Sequence, residues 1–236
     1  MTLEPLPDSF ATTRASLHAL AEHVIAPARY RTDGHIGLVA TSGGFGTPRF
    51  GNDERIRVDG TELVQERPGS TTRVAITTIA AAAQFLGIEP GAPTEVYKPA
   101  TAVAFDEHLA ITAEGARALA AWIDYASSLL EEVRTAYSAL APTPIQMWPE
   151  HFDLSCDFGD ADAGARANYG ASPGDGAIPA PYLYVGPWDA ARRTGALGTH
   201  GFGAALTYDE VRGAASERAA GLEFFRDGAA LLVGEP

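Results

Sequence analysis

A tight-turn dipeptide between two strand-like segments limits the possible folds of this chain more than any other feature. Asp59-Gly60 separates Arg55-Ile-Arg-Val58 from Thr61-Glu-Leu-Val-Gln65. Asp-Gly favours the two-residue turn of a β-hairpin, because glycine readily adopts the positive φ angles that such a turn requires. A third strand is predicted at Thr72–Ile76. The sequence therefore predicts an antiparallel sheet built from neighbouring strands.

Helical segments separate the strands without the regular strand–helix alternation that is typical of a parallel sheet. The first helix is predicted to begin at Asp8 or Ser9 and to end at Pro27, because proline has no N–H for the helical ladder. Further helices are predicted from Thr77 or Thr78 to Gly87, from Thr112 to Pro142, and from Thr207 to about Arg226. The predicted fold class is α+β: a mostly antiparallel sheet with a hairpin, packed against about four helices, in a single domain of residues 1–236.

The charge and composition exclude several classes of partner. The formal net charge is −13 at pH 7, and no run of basic residues interrupts it. Such an acidic field repels the phosphates of nucleic acids and of anionic membranes. No apolar stretch reaches the ~20 residues of a membrane span, and the first eight residues do not resemble a secretion signal. With Cys156 as the only cysteine, a reducing, cytoplasmic location is expected.

The segment Gln146–Phe158 carries the clearest chemical pattern. If it is one extended strand, its side chains alternate between two faces. The apolar face would hold Trp148, Phe152, Leu154, Cys156 and Phe158, and the polar face would hold His151, Asp153, Ser155 and Asp157. A histidine beside carboxylates can hold a metal ion or act as an oriented base. The alternative is that this polar row simply faces water on a half-solvated sheet.

Aromatic residues with polar tips are concentrated between residues 168 and 188. Tyr169, Tyr182, Tyr184 and Trp188 lie among turn-forming residues. Such side chains line small-molecule pockets, and they are also ordinary core material. His200 lies in a glycine-rich segment where the backbone can approach a ligand closely. These observations place a candidate site in the C-terminal half of the chain.

Roles within this site follow from the chemistry of the side chains. His151 is the candidate general base or metal ligand, Asp153 would orient it, and Tyr169 would donate a hydrogen bond to a developing negative charge. The candidate ligand-binding residues are Trp148, Glu150, Asn168, Tyr182, Tyr184, Trp188 and His200. No metal ion is predicted to be required for folding, because the histidines and the single cysteine lack the spacing of a closed tetrahedral site. His18 and His23, five residues apart on the first helix, are expected on different faces.

Three short segments follow one another in an order that resembles a known family. They are Trp148-Pro-Glu-His-Phe-Asp-Leu154, Tyr169-Gly-Ala-Ser-Pro-Gly174 and Tyr182-Leu-Tyr184. The chain resembles, up to about Trp188, an uncharacterised bacterial domain family with a W-x-x-F-D-L segment, a Gly-x-x-Pro-Gly turn and a Y-x-Y strand. His151 departs from that pattern, in which a small residue is expected. The resemblance implies an architecture and a region of interest, but no reaction.

Two hypotheses about function follow from the sequence. The first is a soluble small-molecule-binding protein. In its catalytic version, this protein is an enzyme that uses a His/Asp/Tyr pocket in the C-terminal half. The second is a non-catalytic structural or interaction protein whose aromatic segment forms an oligomer interface. A concave cavity lined by these side chains favours the first, and a flat apolar patch favours the second. The cofactor, the ligand and the oligomeric state are not indicated by the sequence.

Overall fold

The computed structural model describes residues 2–234, and these divide into two compact units. The N-terminal unit consists of Pro5–Asp124 and Met147–Phe152, and the C-terminal unit consists of the residues up to Glu4, Tyr125–Gln146 and the chain from Asp153 onward. Two five-stranded sheets and several helices form the fold, which confirms the predicted α+β class with antiparallel strands. That residues 1–236 form a single domain stays a prediction.

The N-terminal unit begins with a helix that continues through Pro27, so the prediction that Pro27 ends it is wrong. Helix α1 (Phe10–Leu20) is followed by a π-helical turn (Ala21–Ile25) and by α2 (Ala26–Asp33). Pro27 cannot donate to the preceding turn. Two groups from distant residues donate hydrogen bonds to carbonyls of this turn instead. The Gly91 N–H donates to the His23 carbonyl at 2.9 Å, and the Tyr97 hydroxyl donates to the Glu22 carbonyl at 3.3 Å.

The first sheet lies in this unit and contains the predicted hairpin. Its strands are β1 (Val39–Thr41), β2 (Gly44–Gly46), β3 (Arg55–Asp59), β4 (Glu62–Arg67) and β5 (Ser70–Ala75), in that order across the sheet. Asp59 pairs with Glu62, and Gly60 in the turn has a φ of 62°. Helix α3 (Ile79–Leu86) begins at the predicted cap, where the Thr78 side chain accepts from the Ala81 N–H. The hairpin and this helix are confirmed.

The C-terminal unit holds most of the second sheet. Helix α4 (Ala113–Ala136) supplies its second half to this unit. The sheet has the order β10–β9–β8–β7–β6, with β6 (Gln146–Trp148), β7 (Asp153–Phe158), β8 (Ala167–Ser172), β9 (Tyr182–Pro187) and β10 (Ala204–Thr207). Two helices, α5 (Tyr208–Gly213) and α6 (Glu217–Val233), replace the single last helix that was predicted, and Thr207 and Glu210 form the predicted capping box at the start of α5.

The core of the C-terminal unit lies between one face of this sheet and the helices. Cys156 of β7, Tyr169 of β8 and Val185 of β9 are cross-strand partners, so they share a face. All three are buried. A Cβ added at Gly228 of α6 would lie 2.8 Å from Val185. Helix α6 therefore covers this face, and the opposite face of the sheet carries the polar side chains.

The segment 146–158 is not one continuous strand, which corrects the sequence prediction. The chain turns after Trp148, whose carbonyl accepts from the N–H groups of His151 at 3.2 Å and Phe152 at 2.7 Å. Phe152 has a φ of 55°, a left-handed conformation that is uncommon for a residue of its size. Pro149 lacks the N–H that a sheet ladder needs, which accounts for the break. The alternation of side chains is confirmed only from Asp153 onward.

None of the helices among residues 2–234 has the length and apolar character needed to cross a lipid bilayer.

Candidate functional site

The second sheet has a polar face whose side chains lie opposite the helix-covered core. Ser155, Gly170 and Tyr184 are cross-strand partners on β7, β8 and β9, and the residues two positions away along each strand point the same way. The polar face includes Asp153, Ser155, Asp157, Asn168, Gly170, Ser172, Tyr182 and Tyr184. Asp153 and Ser155 are only 7% and 6% exposed. These two polar side chains are therefore more deeply buried than the side chains of a water-facing row would be.

Two tyrosines on β9 each donate a hydrogen bond to one aspartate. The Tyr184 hydroxyl donates to Asp153 Oδ2. The Tyr182 hydroxyl donates to Asp175 Oδ2 at 2.6 Å. Bonds to a carboxylate are about twice as strong as those between neutral groups. The polar face is therefore organised by two phenol–carboxylate pairs, whose tyrosines are two residues apart on one strand.

Burial and negative charge keep both phenols protonated. Burial raises the pKa of Tyr184 well above its ordinary value, and the Asp153 carboxylate raises it further. Burial and the hydrogen bond to Asp175 raise the pKa of Tyr182 in the same direction. Both hydroxyls remain hydrogen-bond donors at neutral pH, and the aspartates are their acceptors.

Gly170 allows the Tyr184 ring to lie flat across β8. A Cβ atom added at Gly170 would clash with the end of the Tyr184 ring, at Cζ and the hydroxyl oxygen. The φ angle of Gly170 lies outside the left-handed region. The glycine is therefore required by the close approach of the ring and not by the backbone conformation.

The loop before β10 brings an aromatic ring and His200 to the same face. The Phe202 ring stacks on Tyr182 at 5.8 Å and meets Tyr184 edge-on at 6.1 Å. The His200 ring lies 5.4 Å from that of Phe202. A tight turn holds the loop, because the His200 N–H donates to the Gly203 carbonyl at 2.8 Å. The predicted ligand-binding residues Tyr182, Tyr184 and His200 thus lie close together.

The three predicted catalytic residues do not form one constellation. His151 lies in the turn before β7 and is exposed, whereas Asp153 is buried in the sheet, which corrects the expectation that they share a strand face. Tyr169 is fully buried on the helix-covered face, with its ring stacked on Phe158 at 4.0 Å and edge-on to Phe225 at 6.4 Å. Of the three predicted catalytic residues, Asp153 is the one that lies on the polar face.

The remaining predicted ligand-binding residues lie in other places. Trp188 is 53% exposed, its indole N–H donates to Asn168 Oδ1 at 2.8 Å, and the Arg166 guanidinium lies over its ring. Trp148 is 37% exposed in the N-terminal unit, so its predicted place on an apolar core face is wrong. Glu150, in the turn of the N-terminal unit, has a buried Oε2 atom with no hydrogen-bond partner among the described residues.

A buried carboxylate on the π-helical turn is not among the site residues predicted from the sequence. Glu22 is completely buried, and it accepts from the N–H groups of Ala100 and Thr101, both at 2.8 Å, and from the Thr101 hydroxyl. The His18 Nε2 atom lies 3.8 Å from Glu22 Oε2. The separation of four residues between His18 and Glu22 was the available signal, because it places both side chains on one helix face.

Among residues 2–234, no group of three or more His, Cys, Asp or Glu side chains is arranged to hold a metal ion. Comparisons with known proteins found no matching family model, no matching curated protein and no matching solved structure. The family resemblance and the cytoplasmic location that the sequence suggests stay predictions.

Proposed function

We propose that this chain is a small-molecule-binding protein and that the polar face of the second sheet is its ligand site. The observation that carries the proposal is the Asp153–Tyr184 pair, a carboxylate only 7% exposed that accepts from a phenol. Burying a charged group is costly unless it is well compensated. Buried, organised carboxylates of this kind are concentrated at functional sites.

The chemistry of the face favours a ligand that donates hydrogen bonds. The two carboxylates are acceptors, and the net charge of −13 attracts cations and repels anions. The rings of Tyr182, Tyr184 and Phe202 offer apolar surface beside these acceptors. The ligand class that fits is an amine or a polyhydroxylated molecule with an apolar part. If the protein is an enzyme, Asp153 is the candidate proton acceptor of this site.

Ligand-observed NMR with a panel of primary amines and polyols tests the proposal. Two variants, D153N and Y184F, each remove one partner of the buried pair. The matched control is Y169F, which removes a hydroxyl from the same sheet but from the opposite face. We expect a compound that binds the native protein and the control and loses binding to both site variants. Circular dichroism verifies that each variant is folded. Equal binding to all four proteins would contradict the proposal.

A second candidate function is an oligomer interface around Trp188. The supporting observation is that this indole is 53% exposed and held in place by Asn168 and Arg166. An ordered, exposed aromatic ring is typical of interface residues. Light scattering coupled to size-exclusion chromatography tests this candidate. A dimer that dissociates in W188A would support it, and a native monomer would rule it out.

A further inference from the structure

His18, which the proposed function does not use, has one ring nitrogen fixed by the backbone. Its Nε2 atom lies 2.8 Å from the Pro149 carbonyl oxygen. A carbonyl oxygen only accepts hydrogen bonds, so Nε2 must carry the hydrogen. In a neutral ring, Nδ1 is then the nitrogen with the lone pair. The contact with Pro149 thereby sets both the tautomer and the direction of the lone pair.

The surroundings of His18 favour this neutral form. Burial lowers the pKa of His18 below the ordinary value of 6.5. Glu22 and the hydrogen bond to the Pro149 carbonyl oppose this effect of burial, and Arg14 adds to it, with a lowered pKa as the net result. The side chain nevertheless keeps 18% of its surface exposed, so the ring is accessible from solvent. A neutral, accessible and oriented imidazole is the form in which histidine acts as a base.

The backbone beside His18 is strained. The imidazole stacks on the Phe152 ring at 4.9 Å with an angle of 5° between the planes, and Phe152 has a φ of 55°. A bulky residue is strained in this conformation, and such strain is concentrated at functional sites. The Phe45 ring packs edge-on against Phe152 at 5.0 Å, which holds the stacking ring in place.

Glu150 provides a second acceptor next to the carbonyl that fixes His18. Its Oε2 atom is buried and has no hydrogen-bond partner among the described residues. Leaving a buried acceptor without a hydrogen bond is destabilising, and more so for a charged group. Glu22, in contrast, is saturated by Ala100 and Thr101. Glu150 is therefore the carboxylate with an unused acceptor, and Glu22 is a positioning residue.

We propose that His18 and Glu150 form a ligand site in the N-terminal unit, at which His18 Nδ1 accepts a hydrogen bond or a proton from a hydroxyl-bearing ligand. When a proton is transferred, the ligand O–H bond breaks, an N–H bond forms at Nδ1, and the electron pair stays on the ligand oxygen. The Glu22 carboxylate 3.8 Å away offsets the positive charge on the ring. The proposal of this site is independent of whether the Asp153–Tyr184 pair binds a ligand.

Modification by diethylpyrocarbonate, mapped by mass spectrometry on the folded protein, tests the reactivity of His18. The neutral ring nitrogen attacks the carbonyl carbon, ethyl carbonate leaves and decomposes to ethanol and CO₂, and the ring loses its proton to solvent. We expect the rate of His18 modification to fall less steeply than that of the reference compound N-acetylhistidine as the pH falls from about 7 to about 5.5, because the pKa of His18 lies below its ordinary value. A fall as steep as that of N-acetylhistidine, or no modification of the folded protein, would overturn the proposal.

Two variants shift the pH profile of this reaction in opposite directions. In E22Q, loss of the carboxylate that raises the pKa of His18 lowers the apparent pKa further. In R14Q, loss of the positive charge raises it. Nitrogen-15 NMR of the native protein gives an independent measurement that needs no variant, and it is expected to show hydrogen on Nε2 and none on Nδ1. Hydrogen on Nδ1, or unchanged profiles in folded variants, would overturn the proposal.

Glycerol serves as the hydroxyl-bearing probe for the ligand class. It is expected to slow the modification of His18 at least about twofold, a weak-binding effect of the size produced by a ligand near its dissociation constant. The matched control is the exposed His35, whose rate reports changes in viscosity and reagent activity. Equal slowing at both histidines would overturn the assignment of a hydroxyl-binding site.

Discussion

Replacing Gly170 by alanine tests how the Tyr184 ring is held on the polar face. The added Cβ would clash with the Tyr184 ring, so the ring must move or the strands must shift. Overpacking of this kind costs about 1–3 kcal/mol. The backbone at Gly170 has no positive φ and accepts alanine without strain. The whole penalty in G170A therefore comes from the contact with Tyr184.

A double-mutant cycle isolates that contact. In a Y184A background the ring is absent, so G170A should no longer destabilise the protein. It should stabilise the strand by about 0.5–1 kcal/mol, because glycine loses more conformational freedom on folding than alanine does. The expected coupling between the two positions is therefore about 1.5–4 kcal/mol, obtained by combining this gain with the overpacking penalty.

Urea unfolding followed by circular dichroism measures the free energy of unfolding of all four proteins in the cycle. G186A on β9 is the matched control, because a Cβ there would be 3.4 Å from the nearest atom, an ordinary contact. It should change the free energy of unfolding by less than G170A. An equal effect of G170A in both backgrounds would refute the reasoning, because the penalty would then be independent of the ring.

Three further predictions concern the C-terminal unit. Because the folded pKa of Tyr184 is raised, its stability contribution is present below about pH 10 and is lost as the pH rises further; alkaline unfolding monitored by tyrosinate absorbance should be less steep in Y184F, and an identical profile would contradict this. Burial raises the pKa of Cys156 to about 12, so a thiol reagent should label it only after unfolding, whereas labelling of native protein at the rate of a free thiol would be inconsistent with its burial. Thr207 accepts from the Glu210 N–H in the capping box, so T207A should lower the free energy of unfolding by about 1 kcal/mol in urea titrations, and no change would show that the cap is dispensable.

The parts of the fold that were predicted correctly depend on local signals. The Asp59-Gly60 hairpin, the Thr78 cap and the Thr207 capping box each lie within a few residues of the turn or helix they define. The alternation from Asp153 to Phe158 is local as well, because side chains of a strand alternate with a period of two. These features required no knowledge of the rest of the chain.

The errors arose where distant groups decide the local structure. Pro27 would end an isolated helix, but Gly91 and Tyr97 take over the carbonyls left without helical donors. Tyr169 and Tyr184 look equivalent in sequence, and only the strand register places them on opposite faces of the sheet. The sequence could therefore indicate the region of the candidate site, but not which tyrosine bonds to Asp153.

A crystal structure of the protein with its best-binding amine or polyol tests the central claim most directly. We expect density for the ligand on the polar face of the second sheet, with a ligand N–H or O–H within hydrogen-bond distance of Asp153 and with its apolar part against Tyr182 or Phe202. The competing location is a groove of about 660 Å³ along α6, lined in part by Leu222, Arg226 and Ala230. Ligand density confined to that groove, with the polar face unchanged, would contradict the claim.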